Sequence, residues 1–396
     1  MEPGAMIPFA QALSTVLASA RRLGDESVPL HEAAGRVLAA DVASDSDQPP
    51  FDRSTMDGFA CRRADLVRPL VVGETIAAGA MPRDEVGPGR CARIMTGAPL
   101  PLGADCVVKF EDTETLPDGT VRGVEADHRD NIRRRGEDVR RGDILLARGA
   151  RIGAPQVAVL ASAGCAQVPV ARRPRVAIIA TGSELVEVDA TPGPGRIRNS
   201  NGPQLAAQIA AAGAVPQVLP VVPDECTALR TALAAAMADH EVVILSGGVS
   251  VGDFDLVPQA MVDCGLEIRF DSIAIKPGRP TTFAVGDGIW CFGLPGNPVS
   301  TFVQCELLVR PLLMGLMGGV HAPRTFAVPL AATVSRRGAA RESWLPVRLD
   351  SGGAAVPLAY HGSAHIHALS LADGFIVLPV GTTRLEKGAL VHVRPL

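Results

Sequence analysis

The chain has 396 residues, of which 47% are hydrophobic and 20% are charged. This length exceeds the roughly 150 residues of an average domain and favours two to four domains, and the composition excludes a disordered or highly charged tail protein. A net charge of −4 and an aromatic content of 4% argue against nucleic-acid and membrane partners.

The eight cysteines are scattered along the chain, and no two of them have C-x-x-C spacing. In a chain of this length the pattern indicates reduced, mostly buried thiols of a cytosolic protein. The first 17 residues lack the basic start and apolar core of a secretion signal, and no apolar run approaches the roughly 18 residues of a membrane span. We therefore expect a cytoplasmic protein.

The first 173 residues alternate between helical and β patterns. Apolar residues recur with a helical period over 7–23, and a second short helix fits 30–40. A polar loop over 41–60 leads into short alternating runs over 60–147, which predict an all-β unit. Residues 154–164 return to a helical pattern.

From residue 175 the pattern changes to strands that alternate with helices. This alternation predicts a doubly wound, parallel α/β domain. Asn201 and Asp224 are candidate caps of two of its helices. The strands are expected at 175–180, 216–221, 241–245, 267–275 and 281–292, and the helices at 201–212, 224–239, 256–264 and 298–316.

Short strands return after residue 323, at 326–330, 354–358, 374–378 and 390–393. They predict a small all-β module, either a barrel or a sandwich. In open α/β sheets, ligands bind beyond the carboxyl ends of the strands, so the loops of the preceding domain are the candidate site. Those loops are 180–185, 245–255, 275–280 and 293–300.

The loop after the third predicted α/β strand has the residues of an anion cradle. Gly247 and Gly248 let the backbone approach a ligand, and Ser246, Ser250 and backbone N–H groups can bind an anion. A tight turn without a ligand explains the glycines equally well. Hard carboxylates beside a phosphate site favour Mg²⁺, and Asp253, Asp255 and Glu184 supply them, although Asp255 is also a credible helix cap.

Two cations lie on a proline-stiffened loop. Lys276 and Arg279 flank Pro277 and Gly278, an arrangement that suits an oxyanion or phosphate, although a solvated turn remains an alternative. Pro298 opens a helix whose free N–H groups form a second anion-friendly position.

Two further clusters carry weaker signals. The arginine run 133–135 is more typical of a local anion site or a solvated face than of a nucleic-acid patch. His365 and His367 share a strand face, but no third metal ligand is evident. The residues alone therefore indicate a multi-domain cytosolic enzyme with an oxyanion- and metal-handling cleft within 175–300.

Six motifs in a fixed order give the chain a specific resemblance. They are STMDGFA at 54–60, RIMTGAP at 93–99, RGED at 135–138, SGGVSVG at 246–252, IKPG at 275–278 and GLPGNP at 293–298. Together they resemble the MoeA family of molybdopterin molybdenumtransferases, which is similar to the C-terminal part of gephyrin. The resemblance extends from about residue 7 to the C-terminus.

The resemblance implies the last step of molybdenum cofactor synthesis. Adenylylated molybdopterin is bound, molybdate is inserted at the dithiolene, and AMP is released with the help of Mg²⁺. The implied partners are a second copy of the chain in a homodimer, the upstream adenylyltransferase and molybdopterin synthase. The implied domains are a discontinuous linker and dimerisation domain (1–46 and 140–173), an inserted β domain (47–139), an α/β domain (174–322) and a C-terminal β-barrel (323–396).

The resemblance also implies site residues. The catalytic positions are Asp57, Thr96, Asp138, Glu184, Asp255 and Lys276. The β-domain members of this set would face the α/β cleft across the dimer. Together with the candidates taken from the residues above, the substrate-binding positions are Ser246, Gly247, Gly248, Ser250, Asp224, Arg279, Pro298, Arg341 and Ser363, and the metal ligands are Glu184, Asp253 and Asp255.

Three departures from the family pattern concern anion geometry and metal use. Arg279 stands where a second lysine is common, and Ser183 replaces a frequent aspartate. His365 and His367 stand where small or hydroxyl residues are common.

Two other classes of function remain as alternatives, an enzyme of another kind and a scaffold. A molybdopterin adenylyltransferase or a nucleotide pyrophosphatase would use the same α/β unit without the Asp57 and Thr96 motifs. A gephyrin-like scaffold would need a peptide groove.

Overall fold

The computed structural model describes residues 6–124, 129–248 and 256–396. The helices predicted over 7–23 and 154–164 are confirmed with shorter bounds. The elements of the first 173 residues are α1 Phe9–Ser19, β1 Asp25–Pro29, β2 Val42–Ala43, β3 Arg53–Ser54, β4 Gly58–Cys61, β5 Val71–Ile76, β6 Arg90–Ile94, β7 Cys106–Lys109, β8 Thr113–Thr115, β9 Val121–Gly123, β10 Ile132–Arg133, β11 Ile144–Leu146, α2 Ala154–Ser162 and β12 Gln167–Ala171.

The helix predicted over 30–40 is wrong. Only its first three residues form a single 3₁₀ turn. Val37 and Leu38 instead make β-bridges with Arg151 and Val170, and both are buried. Backbone pairing with a distant segment satisfies the peptide groups here, so the local helical pattern is overridden.

Two separated stretches of chain pair with each other around the β unit. β1 is antiparallel to β12, and β2 is antiparallel to β11. Val28, Leu38, Leu160 and Val168 share one buried core across these stretches. The pairing fits a discontinuous domain, while the boundaries at 46 and 140 stay a prediction.

The β unit is built on a sheet in the order β5-β6-β4-β7. The central strand β4 is antiparallel to β6 and to β7, so Gly58 lies opposite both Ile94 and Lys109. The chain just before β4 therefore lies beside the ends of both neighbours. This register brings the predicted motifs at 54–60 and 93–99 together.

The α/β unit is a mixed sheet in the order β16-β13-β17-β21-β20-β18. Its elements are β13 Arg175–Ala180, β14 Leu185–Val186, β15 Ile197–Arg198, α3 Asn201–Ala211, β16 Val215–Val218, α4 Cys226–Asp239, β17 Val242–Ser246, α5 Val257–Asp263, β18 Glu267–Ser272, β19 Ile275–Lys276, β20 Pro280–Val285, β21 Trp290–Leu294, α6 Pro298–Gln304 and α7 Arg310–Leu316.

The all-parallel prediction is correct for the strands β16, β13, β17 and β21 only. β20 and β18 are antiparallel to their neighbours. The strand predicted over 281–292 is two strands, because a tight turn closed by the Gly286 N–H and the Ile289 carbonyl folds the chain back on itself. A connection this short cannot make a parallel crossover.

Both predicted helix caps are wrong. Asn201 is the first residue of α3, and the N–H of Gly202 is capped instead by the Asn199 side chain at 3.0 Å. The N-cap residue of α4 is Glu225. The side chains of Asn201 and Asp224 are therefore available for contacts between loops.

The C-terminal β module shares a sheet with the α/β unit. Its elements are β22 Phe326–Pro329, β23 Val334–Ser335, β24 Glu342–Leu349, β25 Ala355–Pro357, β26 Gly374–Leu378, β27 Arg384–Leu385 and β28 Leu390–Pro395. The strand order is β19-β24-β26-β28-β22, and Lys276 of β19 lies opposite Ser343 of β24. Closure of this sheet into a barrel stays a prediction.

In the part of the chain that the structure describes, one continuous helix, Pro298–Leu316, is long and apolar enough to cross a membrane. It joins α6 to α7 through a π-helical segment, Cys305–Val309. Its apolar window is 78% buried inside the fold, which is the position of a core helix.

Candidate active site

Asp57 lies directly before β4, and its carboxylate is held by one neighbouring residue, Thr96. Its Oδ1 accepts hydrogen bonds from the Thr96 backbone N–H at 2.7 Å and from the Thr96 hydroxyl at 2.8 Å. These two bonds, in that order, hold the pKa of Asp57 below its usual range, and Arg93 adds a weaker effect in the same direction. Asp57 is therefore a carboxylate at neutral pH, able to accept a proton or orient water.

A cavity of about 400 Å³ opens beside this pair. Sequence reasoning predicted Asp57 and Thr96 but missed the other polar residues of the cavity. The sequence signal that could have identified them is the charged stretch 109–112, which begins at the last residue of β7. The missed residues are Lys109, Glu111 and Asp112.

Asp138 lies apart from this cavity, in ion pairs made by the arginine run 133–135. The guanidinium of Arg133 bonds the Asp138 carboxylate and lowers its pKa. The whole run is neutralised by neighbouring carboxylates, which explains why it forms no exposed basic patch. The remaining pairs are Arg133–Glu137, Arg134–Asp52, Arg134–Asp130 and Arg135–Asp47.

Asp224 joins two loops at the carboxyl end of the parallel strands. Its Oδ1 accepts the Thr181 hydroxyl at 2.6 Å, and its Oδ2 accepts the Ser183 backbone N–H at 3.3 Å. Glu184 follows in the same loop and is exposed. The loops after β13 and β16 are thereby fixed relative to each other.

The loop after β17 requires glycine. Gly247 has φ of 112°, and a Cβ at this position would lie 2.3 Å from the Thr181 carbonyl oxygen. Asn201 then joins this loop to the one before α6, since its Nδ2 donates to the Ser246 hydroxyl and to the Gly296 carbonyl, both at 2.8 Å. Gly248 completes the turn, so three loops of the α/β unit are bonded into one surface.

A second cavity, of about 320 Å³, gathers four predicted residues. Lys276, Arg279, Arg341 and Ser363 all line it. Within the described ranges none of the three cations has an ion-pair partner. This cavity is therefore electropositive and suits a small oxyanion.

The loop that carries Lys276 and Arg279 is held in place by the helix α6. The Gln304 side chain donates to the carbonyls of Pro277 and Gly278, each at 3.2 Å. Gly278 has φ of 101°, and a Cβ there would lie 2.3 Å from the Gln304 amide nitrogen. A side chain at this position would displace the Gln304 side chain that holds the loop.

The C-terminal module docks onto the start of the same helix. The Val299 N–H donates to the Ser363 carbonyl at 3.0 Å, which holds the segment 361–363 against α6. Asn297 and Ser300 line the cavity and were missed by the sequence analysis, whereas Pro298 does not line it.

Tyr360 also lines this cavity and was missed, although it is the only tyrosine of the chain. Burial raises the pKa of its phenol to about 12, so the group stays protonated. Its position three residues before the predicted Ser363 was the signal that the sequence offered.

Three predicted residues, Ser250, Asp253 and Asp255, lie outside the described residues. Among residues 6–124, 129–248 and 256–396, no group of three or more His, Cys, Asp or Glu side chains is placed to hold a metal ion. His365 stacks on His361 with ring centroids 5.2 Å apart.

The two cavities have no lining residue in common. Asp57 and Thr96 lie in one of them, and Lys276, Arg279, Arg341 and Ser363 lie in the other. Their predicted meeting across a homodimer is a contact between two copies, and it stays a prediction.

Three family models match consecutive parts of the chain. They describe the MoeA N-terminal region (domain I and II) over 7–164, a probable molybdopterin binding domain over 177–315, and the MoeA C-terminal region (domain IV) over 329–396. The matches cover both cavities.

Relatives are similar over their full length. A molybdopterin molybdenumtransferase from Bacillus subtilis is 35% identical, with 99% of this chain and 95% of the relative covered. Two structures of a molybdopterin biosynthesis MoeA protein from Pyrococcus horikoshii cover 99% of this chain and at least 99% of theirs, with TM-scores of 0.81 and 0.87 at 34% and 28% identity.

Proposed function

The chain belongs to the MoeA family of molybdopterin molybdenumtransferases, and from this premise we propose that it inserts molybdate into adenylylated molybdopterin with release of AMP. It is a transferase of molybdenum cofactor biosynthesis, with molybdopterin and molybdate as substrates.

The observation that carries the proposal is the electropositive cavity. Molybdate is a tetrahedral dianion, and Lys276, Arg279 and Arg341 line one cavity without a carboxylate partner among the described residues. Two arginines offer planar, two-point contacts to its oxygens, and the lysine adds a compact charge. These residues bind and orient the oxyanion.

The bonded loops beside this cavity suit the adenylyl phosphate. The glycines of Ser246–Gly248 let backbone N–H groups approach a phosphate oxygen, and Asn201 fixes the Ser246 hydroxyl. Asp224 keeps the facing loop in place. Asp57 supplies a carboxylate that polarises water at the phosphoanhydride.

We include Mg²⁺ in the proposal because the predicted ligands are carboxylates. Glu184 with Asp253 and Asp255 would give Mg²⁺ the oxygen ligands that it prefers, and the ion would neutralise charge on the phosphoanhydride. Glu184 is exposed and has no ion-pair partner among the described residues. Asp253 and Asp255 lie outside those residues, and the described part alone makes no three-ligand group.

A homodimer would complete the site. The two cavities share no lining residue, so Asp57 of one copy would have to face Lys276 of the other to act on one substrate. We also propose that the protein works in the cytoplasm and receives its substrate from the upstream adenylyltransferase and molybdopterin synthase.

The test is AMP release from adenylylated molybdopterin with and without molybdate, paired with reconstitution of a molybdenum-free enzyme. We expect AMP release that requires molybdate and yields active cofactor. Release without molybdate would identify a pyrophosphatase. If Asp57→Ala or Lys276→Ala formed cofactor at the wild-type rate, the site assignment would be wrong.

A further inference from the structure

Three cysteines form a row across neighbouring strands of the β unit. Cys61 of β4 lies directly opposite Cys91 of β6 on one side and Cys106 of β7 on the other. Directly opposed residues of paired strands point to the same face of a sheet, so the three thiols share one face. All three are buried in one small apolar cluster.

Two of the three thiols are in contact. The Sγ atoms of Cys61 and Cys106 lie 3.7 Å apart, at positions 45 residues apart in the chain. Opposed Cα atoms of an antiparallel pair are separated by roughly 4.5–5.5 Å, which is within the range that a disulfide spans. Side-chain rotation alone can therefore bring the sulfurs to bonding distance.

We propose that Cys61 and Cys106 are an oxidative modification site, at which a hydroperoxide converts the two thiols into a cross-strand disulfide. The two thiols are in hydrogen-bond contact, and either sulfur can be the donor. The sulfur that loses its proton first is the nucleophile.

The reaction balances with one hydrogen peroxide. One of the two sulfurs attacks one peroxide oxygen, the O–O bond breaks, and the departing oxygen leaves as water with the thiol proton. The other sulfur then attacks the sulfenic sulfur, the S–O bond breaks, and the second water leaves with the remaining thiol proton. Two thiols and one peroxide thus give one disulfide and two waters.

The pair of thiols lies at one edge of the sheet, and both side chains are buried there. β7 ends the strand order β5-β6-β4-β7, and Asp105, next to Cys106, is exposed. Burial raises the pKa of Cys91 to about 11, so this third thiol stays protonated and less reactive. The bridge would join the two strands whose other ends carry Asp57 and Lys109 beside the first cavity.

Tryptic mapping tests the proposal, because trypsin places the three thiols on separate peptides, 54–62, 91–93 and 94–109. The folded, reduced protein is treated with hydrogen peroxide, remaining thiols are alkylated after denaturation, and the digest is analysed without reductant. We expect peptide 54–62 linked to peptide 94–109, two hydrogen masses below the sum of the free peptides.

Cys91→Ser is the matched control and should keep the linkage. Alkylation of both Cys61 and Cys106 after oxidation, or a bridge from either to Cys91, would overturn the proposal. Cys61→Ser should leave Cys106 without a disulfide partner. If that variant does not fold, the wild-type and Cys91→Ser digests decide the matter by themselves.

Discussion

At the scale of single side chains, hydrogen bonds fix the position of two site carboxylates, Asp57 and Asp224. Asp57 accepts two bonds from Thr96, and Asp224 accepts one bond each from Thr181 and Ser183. The sequence predicted both residues as site positions through the family resemblance. The residue pattern by itself suggested a helix cap for Asp224, because an aspartate before a helix is a common cap and a contact to a distant loop leaves no local signal.

Thr96→Val should shift the acid limb of the pH–rate profile to higher pH. The substitution removes the hydroxyl bond that helps to lower the pKa of Asp57 and keeps the backbone N–H bond. The pKa of the carboxyl then rises toward its usual value, so the group becomes protonated earlier as the pH falls. The measurement is molybdate-dependent AMP release across pH. Thr96→Ser keeps the hydroxyl and should leave the limb in place, and an unmoved limb in Thr96→Val would contradict the assignment.

Asp224→Asn should slow AMP release about 10- to 100-fold, because a hydrogen bond to a charged group is worth roughly 1.5–3 kcal/mol. The amide can still accept the Thr181 hydroxyl, but its NH₂ group faces the donor of Ser183. Single-turnover kinetics measure the loss. Asp239→Asn, at the exposed far end of α4, is the control and should react as the wild type does. Equal rates for both variants would remove Asp224 from the site.

For helices and strands, the sequence predicted the type of each element better than it predicted which strands pair and in which direction. The strand over 175–180, the long helix over 298–316 and the short β strands were correct because their apolar periodicity is local. The helix over 30–40 and the parallel direction of β20 and β18 were wrong. Both errors arise where the partner strand is selected by tertiary contacts.

Gly247→Ala should lower the thermal midpoint more than Gly265→Ala does. Both glycines have positive φ, which costs an L-residue roughly 1–2 kcal/mol. Only at Gly247 would the new Cβ also meet a backbone oxygen, whereas nothing lies within 4 Å at Gly265. Calorimetry of the two variants separates the clash from the φ effect. Equal midpoints would mean that the loop after β17 is not tightly packed.

At the level of the whole molecule, the electropositive cavity is made by two modules. Lys276 and Arg279 come from the α/β unit, and Arg341 comes from the segment before β24. The pairing of β19 with β24 holds these segments side by side. The site therefore depends on the docking of the modules as well as on their separate folds.

Arg341→Ala should raise the KM for molybdate about tenfold or more, because it removes a charge-assisted contact worth roughly 1.5–3 kcal/mol. Arg337→Ala is the matched control, since Arg337 is exposed on the same segment and does not line the cavity. Initial rates over a molybdate series at two salt concentrations provide the measurement. A similar KM for both variants would place the oxyanion elsewhere.

Mixing inactive variants tests the shared site. If Asp57 of one copy works with Lys276 of its partner, a heterodimer of Asp57→Ala and Lys276→Ala has one intact site. Random exchange of equal amounts should then restore about a quarter of wild-type activity. Each variant alone is the control. A mixture that stays inactive after confirmed subunit exchange would argue that each chain uses its own Asp57 and Lys276.

The sequence by itself determined the motifs, most element types and the four predicted residues that line the second cavity, Lys276 and Arg279 from the residue pattern and Arg341 and Ser363 through the family resemblance. Local periodicity and turn chemistry carry that information in neighbouring residues. Only the tertiary structure decided that Asn201 joins two loops, that Asp224 holds a loop instead of capping a helix, and that Tyr360 lines the same cavity as Lys276. Those outcomes depend on strand register and module docking, which are set by contacts between residues far apart in the chain.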